Sequence, residues 1–318
     1  MDGWARMRRA LSAFLLVALV AATAAACGSD DDAESGSGPS IVVTTPMLGS
    51  LVSDLVGDRA RVTVLIPNGT DPHDYQPSAK DIGRLENADL VVANGLDLEE
   101  GLEDPLGGVP VERLFQASDV VSTLRPAEEH EDDHAEGEEE EHHHHGAFDP
   151  HLWMDPLTMR DVVAGLAPEL KERTGLDVAD RAADLEQRLT ALDGEVRDIL
   201  APIPAARRTL VTGHESMGYF AARYDFRIAG SVIASLSSEA QVSAANIARL
   251  KRQIERERVP AIFTELGTPA DVVRTLGDET GAEVVEIGTH SLPADGSYFT
   301  FMRDVATAIA GGLTAARS

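Results

Sequence analysis

Cysteine is nearly absent: Cys27 is the only one among 318 residues, so no disulfide can form within the chain. Bases are scarce as well. Only 27 Lys and Arg stand against 54 Asp and Glu, a net charge of -27, which excludes the clustered positive surface that nucleic-acid binding needs. Long apolar runs are missing beyond the first segment, and nothing later reaches the ~18 to 20 apolar residues that span a bilayer. No short internal repeat recurs at a fixed period, which excludes solenoids and propellers. What remains is a chain that is 43% hydrophobic, enough for a sizeable core in one large domain or two ordinary ones. Its acidic surface favours solubility and attracts cations.

Residues 1–26 read as an export signal: Arg6, Arg8 and Arg9 precede the apolar run from Leu11 to Val20, and small residues follow from Ala21 to Ala26. Cys27 then stands in Ala-Ala-Ala-Cys-Gly-Ser, which resembles a bacterial lipoprotein processing site; an incidental cysteine after an ordinary signal peptide is the alternative. A lone thiol in an exported chain is otherwise unexplained, so Cys27 is expected to carry a lipid that anchors the protein to the membrane surface. Residues 27–39 are dominated by Gly, Ser and acids and read as a flexible tether.

From Ser40 onward the pattern is α/β. SIVVTT at 40–45, RVTVLIP at 61–67 and DLVVAN at 89–94 read as strands, with helices over about 47–56 and 78–87 between them. A second series holds strands TLVT (209–212), AIFTE (261–265) and VVEIG (284–288), with helices over about 216–223, 239–257, 270–280 and 297–313. Such alternation implies largely parallel sheets. Between the two series, Ala182, Leu185, Leu189, Leu192, Val196 and Ile199 recur at spacings of three and four, the pattern of a long amphipathic helix that Pro202 and Pro204 stop. The expectation is therefore two α/β lobes, at 40–178 and 204–318, joined by one helix at 179–203. The stretch 127–145 holds ten acids and six histidines (His130, His134, His142, His143, His144 and His145) with almost nothing to bury, and is expected to be a surface loop without fixed structure.

Outside that stretch only four histidines remain: His73, His151, His214 and His290. His73, in DPHDYQPS, follows a strand and a glycine-containing turn; His214, in VTGHESMGYF, also stands at a strand-to-helix turn. Open α/β sheets bind ligands outside the carboxyl ends of their strands, so the two turns can face one another across a cleft. His151, in DPHLWMDP, is bracketed by prolines that fix the backbone. Each alone fits a structural hydrogen-bonding role. Together they offer three neutral imidazoles in preorganised turns, which suits a borderline metal ion. A closed tetrahedral site takes a fourth ligand, for which Asp295 in LPADGSYFTFMR leads, Glu265 at a strand end is the alternative carboxylate, and His290 is a further possibility. A helix cap or Asx turn is the competing role for Asp295.

The ordered segments IPNGTDPHDYQPS, ADLVVANGLDLEEGL, DPHLWMDP, GHESMGYFAARYDF and SYFTFMR resemble the metal-binding receptors of bacterial ABC importers for zinc and manganese, over essentially all of residues 40–318. The resemblance implies one metal ion between the lobes, a connecting helix that limits closure, and delivery to a membrane permease. Carried over by position, its ligands fall on His73, His151, His214 and Asp295, although Asp295-Gly296-Ser297-Tyr298 stands where members often have Gly-Asp-Ser-Tyr. Histidine rather than glutamate at His214 places the chain on the zinc side, with manganese as the alternative; imidazoles suit zinc, and hard oxygens suit manganese. An acidic, histidine-rich insertion is also a feature of the zinc branch, as a weak metal collector or as a plain solvated spacer.

A mononuclear zinc hydrolase is the competing class, since three protein ligands and a water make a reactive site. The motifs oppose it. His214-Glu215 opens like HExxH, but Gly218 occupies the second histidine's place, and Ser216 lacks the Gly-x-Ser-x-Gly frame. A surface adhesin is a third class, which should fold and act without metal. The sequence thus leads to a monomeric, non-enzymatic zinc receptor.

Overall fold

Short β-branched runs set the two sheets, and the helix caps around them are written in the sequence. The computed structural model describes residues 38–125 and 148–315. The expected export signal, Cys27, the tether up to residue 37 and the acidic stretch 127–145 with its six histidines lie outside the described residues.

In the first half, β1 (Ser40–Val43) leads into α1 (Pro46–Val56), whose N-cap Thr45 accepts a bond from the Leu48 amide ahead of Pro46 in the first turn. Then come β2 (Arg61–Val64), α2 (Ala79–Asn87), β3 (Leu90–Ala93), the short α3 (Glu103–Gly107) and β4 (Leu114–Gln116). A reciprocal capping box between Ser78 and Asp81 starts α2. Two long helices follow, α4 (Pro156–Thr174) and α5 (Ala179–Leu200). The second half runs β5 (Thr209–Thr212), α6 (Gly218–Tyr224), β6 (Arg227–Ser231), α7 (Ala244–Glu257), β7 (Ala261–Thr264), α8 (Ala270–Thr280), β8 (Glu283–Glu286) and α9 (Tyr298–Thr314).

Both sheets are parallel throughout and share one plan. Their strand orders are β2-β1-β3-β4 and β6-β5-β7-β8, so each sheet changes its direction of growth beside its first strand. That change opens a crevice at the carboxyl ends of β1 and β3 in one lobe and of β5 and β7 in the other. The fold class is thus two α/β lobes, each on four parallel strands. Helix α5 buries Ala182, Leu185, Leu189, Leu192, Val196 and Leu200 and packs against α1 and α4 on one side of the sequence and α9 on the other. The largest apolar cluster accordingly draws residues from both halves, and the described residues form one compact unit. No helix among the described residues is long and apolar enough to cross a membrane.

Several elements differ from the sequence expectation. Strands β4 and β6 are short or carry Arg227, Ala229 and Gly230, residues that read as connection rather than strand. Helix α4 holds Gly165 and Pro168, which ordinarily punctuate, yet Met159, Val162, Val163, Leu166 and Leu170 are buried at helical spacing. Helix α7 begins at Ala244, with Ser243 as its N-cap, rather than near Glu239.

Candidate metal centre

His73, His151, His214 and His290 converge, and one ring nitrogen from each lies within 4.8 Å of the others. All four are buried, at 3%, 0%, 0% and 1% exposure. The Nε2 atoms of His73 and His151 are 3.5 Å apart, and those of His214 and His151 are 3.2 Å apart. A tetrahedron with Zn–N bonds of ~2.0 to 2.1 Å has edges of ~3.3 to 3.4 Å, which these two separations bracket.

The chain repeats one local device to place two of the rings. In Asp71-Pro72-His73 the Asp71 carboxylate accepts the His73 amide at 3.1 Å; in Asp149-Pro150-His151 the Asp149 carboxylate accepts the His151 amide at 2.9 Å. Each Asx turn, stiffened by its proline, aims the ring inward. Asp71 is held in turn by the Ser238 hydroxyl at 2.7 Å, which ties the first lobe to the second. His214 follows β5, and its amide donates to Glu265 Oε1 at 3.0 Å from the end of β7. Gly213 makes this approach feasible, because a Cβ there would stand 2.1 Å from Thr268 Oγ1 and 2.9 Å from Glu265 Cγ. His290 follows β8, and the preceding residue, Thr289, accepts the Trp153 indole N–H at 2.8 Å through its carbonyl.

Behind the rings stands a second set of polar groups. Asp149 Oδ1 is 2.8 Å from His151 Nδ1, Glu265 Oε1 is 3.0 Å from His214 Nδ1, and Thr289 Oγ1 is 3.0 Å from His290 Nδ1. The Glu265 contact to the ring is close but not aligned for a hydrogen bond, so that carboxylate's aligned donors are the His214 amide and the hydroxyls of Ser216 and Thr289. An Nδ1–H donated to Asp149 leaves the His151 Nε2 lone pair facing the cluster, the arrangement a metal ligand requires.

Electrostatics separates the rings into two kinds. Burial, followed by the neighbouring His214, pushes the pKa of both His151 and His290 well below the usual histidine value, so both stay neutral. Burial also acts to lower His214, but the charge of Glu265 outweighs it and raises the pKa. Glu265 shows the converse: burial opposes ionisation, and His214 beside it prevails, which keeps the carboxylate charged. Burial raises Asp149 to about 7 against the pull of the His151 amide.

The structure brings together some of the expected side chains and not others. His73, His151 and His214 meet, and His290 joins them as the fourth ring. Asp295 does not. It is exposed, and its carboxylate accepts the Ser297 amide at 3.1 Å and the Thr300 hydroxyl at 2.7 Å, so it ties the first turn of α9 instead of reaching the cluster. Glu265 is at the centre but braces His214 from behind rather than joining the four ring nitrogens. The roles of Asp149 and Asp71 were missed, although the repeated Asp-Pro-His tripeptide was available as their sign.

Known proteins resemble this chain in sequence and in fold. A family model described as zinc-uptake complex component A, periplasmic (ZnuA), matches residues 41–312. The zinc-binding protein TroA of Treponema pallidum is 33% identical over 83% of this chain and 82% of its own. The manganese-binding lipoprotein MntA of Halalkalibacterium halodurans is 27% identical over 97% of this chain and 100% of its own. Among solved structures, the periplasmic zinc-binding protein TroA from Treponema pallidum superposes with a TM-score of 0.74 at 26% identity, covering 88% of this chain and 100% of that one.

Proposed function

This chain belongs to the ZnuA family of periplasmic zinc-uptake complex components, and on that premise we propose that it is an extracytoplasmic receptor that holds one zinc ion between four imidazoles and delivers it to the permease of an ABC importer. The convergence of His73, His151, His214 and His290 carries the reading. The four donors of one chain already fill a tetrahedral shell, so the receptor needs no second copy and acts as a monomer. Cys27 carries the lipid that keeps the receptor at the membrane, in line with relatives named as lipoproteins.

Manganese is the second reading, favoured by relatives whose names carry that metal. The donor set supports zinc instead, because imidazole suits zinc while manganese takes carboxylate, carbonyl and water oxygens. The same set argues against a hydrolase. Catalytic zinc keeps a position open for water, whereas four buried imidazoles form a closed shell. The chain accordingly binds and releases the ion without chemistry on it.

Titration calorimetry on the mature chain tests this directly. One tight equivalent of zinc is expected, with alanine at any of the four histidines weakening it sharply and Asp295→Ala leaving it in place. Absence of a tight equivalent, or loss of it in Asp295→Ala alone, refutes the assignment. Cys27→Ala should release the protein from membranes without altering zinc affinity.

A further inference from the structure

Three of the four imidazoles have a polar group within 3.0 Å of Nδ1; His73 is different. Its buried Nδ1 has, among the described residues, no hydrogen-bond partner, as for His214, but here the carboxylate oxygen beside it, Glu100 Oε1, stands off at 3.8 Å. His73 also lines a cavity of about 220 Å³ whose walls include Asp97, Glu100, Glu103, Pro150 and Leu236, and Glu100 is the residue that approaches its Nδ1. Its Nε2 points to the centre, 3.5 Å from His151 Nε2. His73 therefore stands between the buried rings and an acidic cavity.

The cavity wall is built with care. Gly95, Leu96 and Asp97 take left-handed φ values of 82°, 58° and 58°, a conformation that L side chains avoid. Glu99 holds the turn: its buried carboxylate accepts the Thr44 hydroxyl at 2.5 Å and the amides of Asn94 at 2.8 Å and Gly95 at 3.3 Å. Asn94 in turn donates to the Pro150 carbonyl at 2.8 Å, beside His151. The strained turn leaves Asp97 exposed at the cavity, and Glu100 and Glu103 follow on the same segment. Glu239, from the other lobe, is near enough that partial burial and then the charges of Asp74, Asp71 and Glu100 raise its pKa.

We propose that this cavity is the entry vestibule of the receptor, where a divalent cation is first held by the carboxylates of Asp97, Glu100 and Glu103 before His73 draws it into the imidazole centre. The inference rests on the reading of the centre as a metal site. Carboxylate oxygens bind the hydrated ion loosely, imidazoles bind it tightly, and a cavity lined by one sign of charge concentrates counter-ions. The competing role for Glu100 is a brace on His73 Nδ1, which acts on release rather than arrival.

Stopped-flow zinc association on the mature chain separates the two. Asp97→Asn combined with Glu100→Gln and Glu103→Gln should lower the association rate about tenfold at low ionic strength, with the difference shrinking at high salt. Removing the same charge elsewhere, through Asp180→Asn, Asp198→Asn and Asp278→Asn, should leave the rate near that of the unaltered chain. Equal slowing in both sets, an unchanged rate, or an effect confined to dissociation overturns the vestibule. Thermal melts confirm that both sets fold. If the unaltered chain shows no tight zinc equivalent, the receptor reading itself fails; tight binding with an unchanged association rate overturns the vestibule alone.

Discussion

At the scale of residues, the centre holds two carboxylate–imidazole pairs in opposite electrostatic states. Asp149 and His151 are both biased towards neutrality, mainly by burial, whereas Glu265 and His214 are biased towards an ion pair. Asp149 fixes the tautomer that presents His151 Nε2 to the ion, so Asp149→Asn, which can turn an amide N–H towards the ring, should weaken zinc affinity about 10- to 100-fold while the stoichiometry stays at one. Competition titration against a chromophoric chelator measures it. The second pair sets the pH response. A ligand imidazole must be neutral, so a proton on it competes with zinc. His151 and His290, held low, give protons little hold until well below the usual histidine range, but His214, held high, is protonated first as pH falls. Affinity should therefore drop by about tenfold per pH unit once pH passes below the raised His214 value, the slope of one competing proton. Glu265→Gln removes the charge that raises His214, and the onset of the drop should move to lower pH; an unmoved onset contradicts the assignment.

At the scale of elements, the helix α5 and the turns beside the strands do most of the placing. Leu189 is fully buried where α5 packs between the halves, so Leu189→Ala should cost about 2 to 5 kcal/mol in urea unfolding, with zinc stoichiometry unchanged in the folded protein. That helix was legible because one face carries apolar residues at every third or fourth position. Strands β1, β3, β5 and β7 were equally plain, being short apolar runs that are buried in the middle of a sheet. The edge strand β6 was not, since an edge needs little apolar surface, and α4 was obscured by Pro168, whose cost the packing of Leu166 and Leu170 offsets. Three of the four rings were legible from Asp-Pro-His twice and Gly-His once. His290 ranked behind Asp295 in the sequence because a neighbouring Asp-Gly-Ser-Tyr offered a carboxylate at a plausible turn. The fold places them differently: Asp295 accepts from Ser297 and Thr300, and His290 lies five residues earlier, beyond the carboxyl end of β8.

At the scale of the whole molecule, two sheets with the same strand order place their carboxyl ends around one set of buried rings, and the sequence itself shows no repeat that would announce this. His73 and His151 come from the first half, and His214 and His290 from the second. A bound ion therefore ties two halves that already share a core. Binding to the native state alone should raise unfolding stability by about 4 kcal/mol at a free zinc level a thousandfold above Kd. A rise in the urea midpoint that tracks zinc concentration checks this, and its absence in His290→Ala would locate the effect. The central claim is that four imidazoles make up the zinc shell. X-ray absorption fine structure on the zinc-loaded protein tests it most directly: the account predicts four nitrogen neighbours at ~2.0 to 2.1 Å with the outer scattering of imidazole rings, and a shell of three imidazoles with a carboxylate oxygen would contradict it.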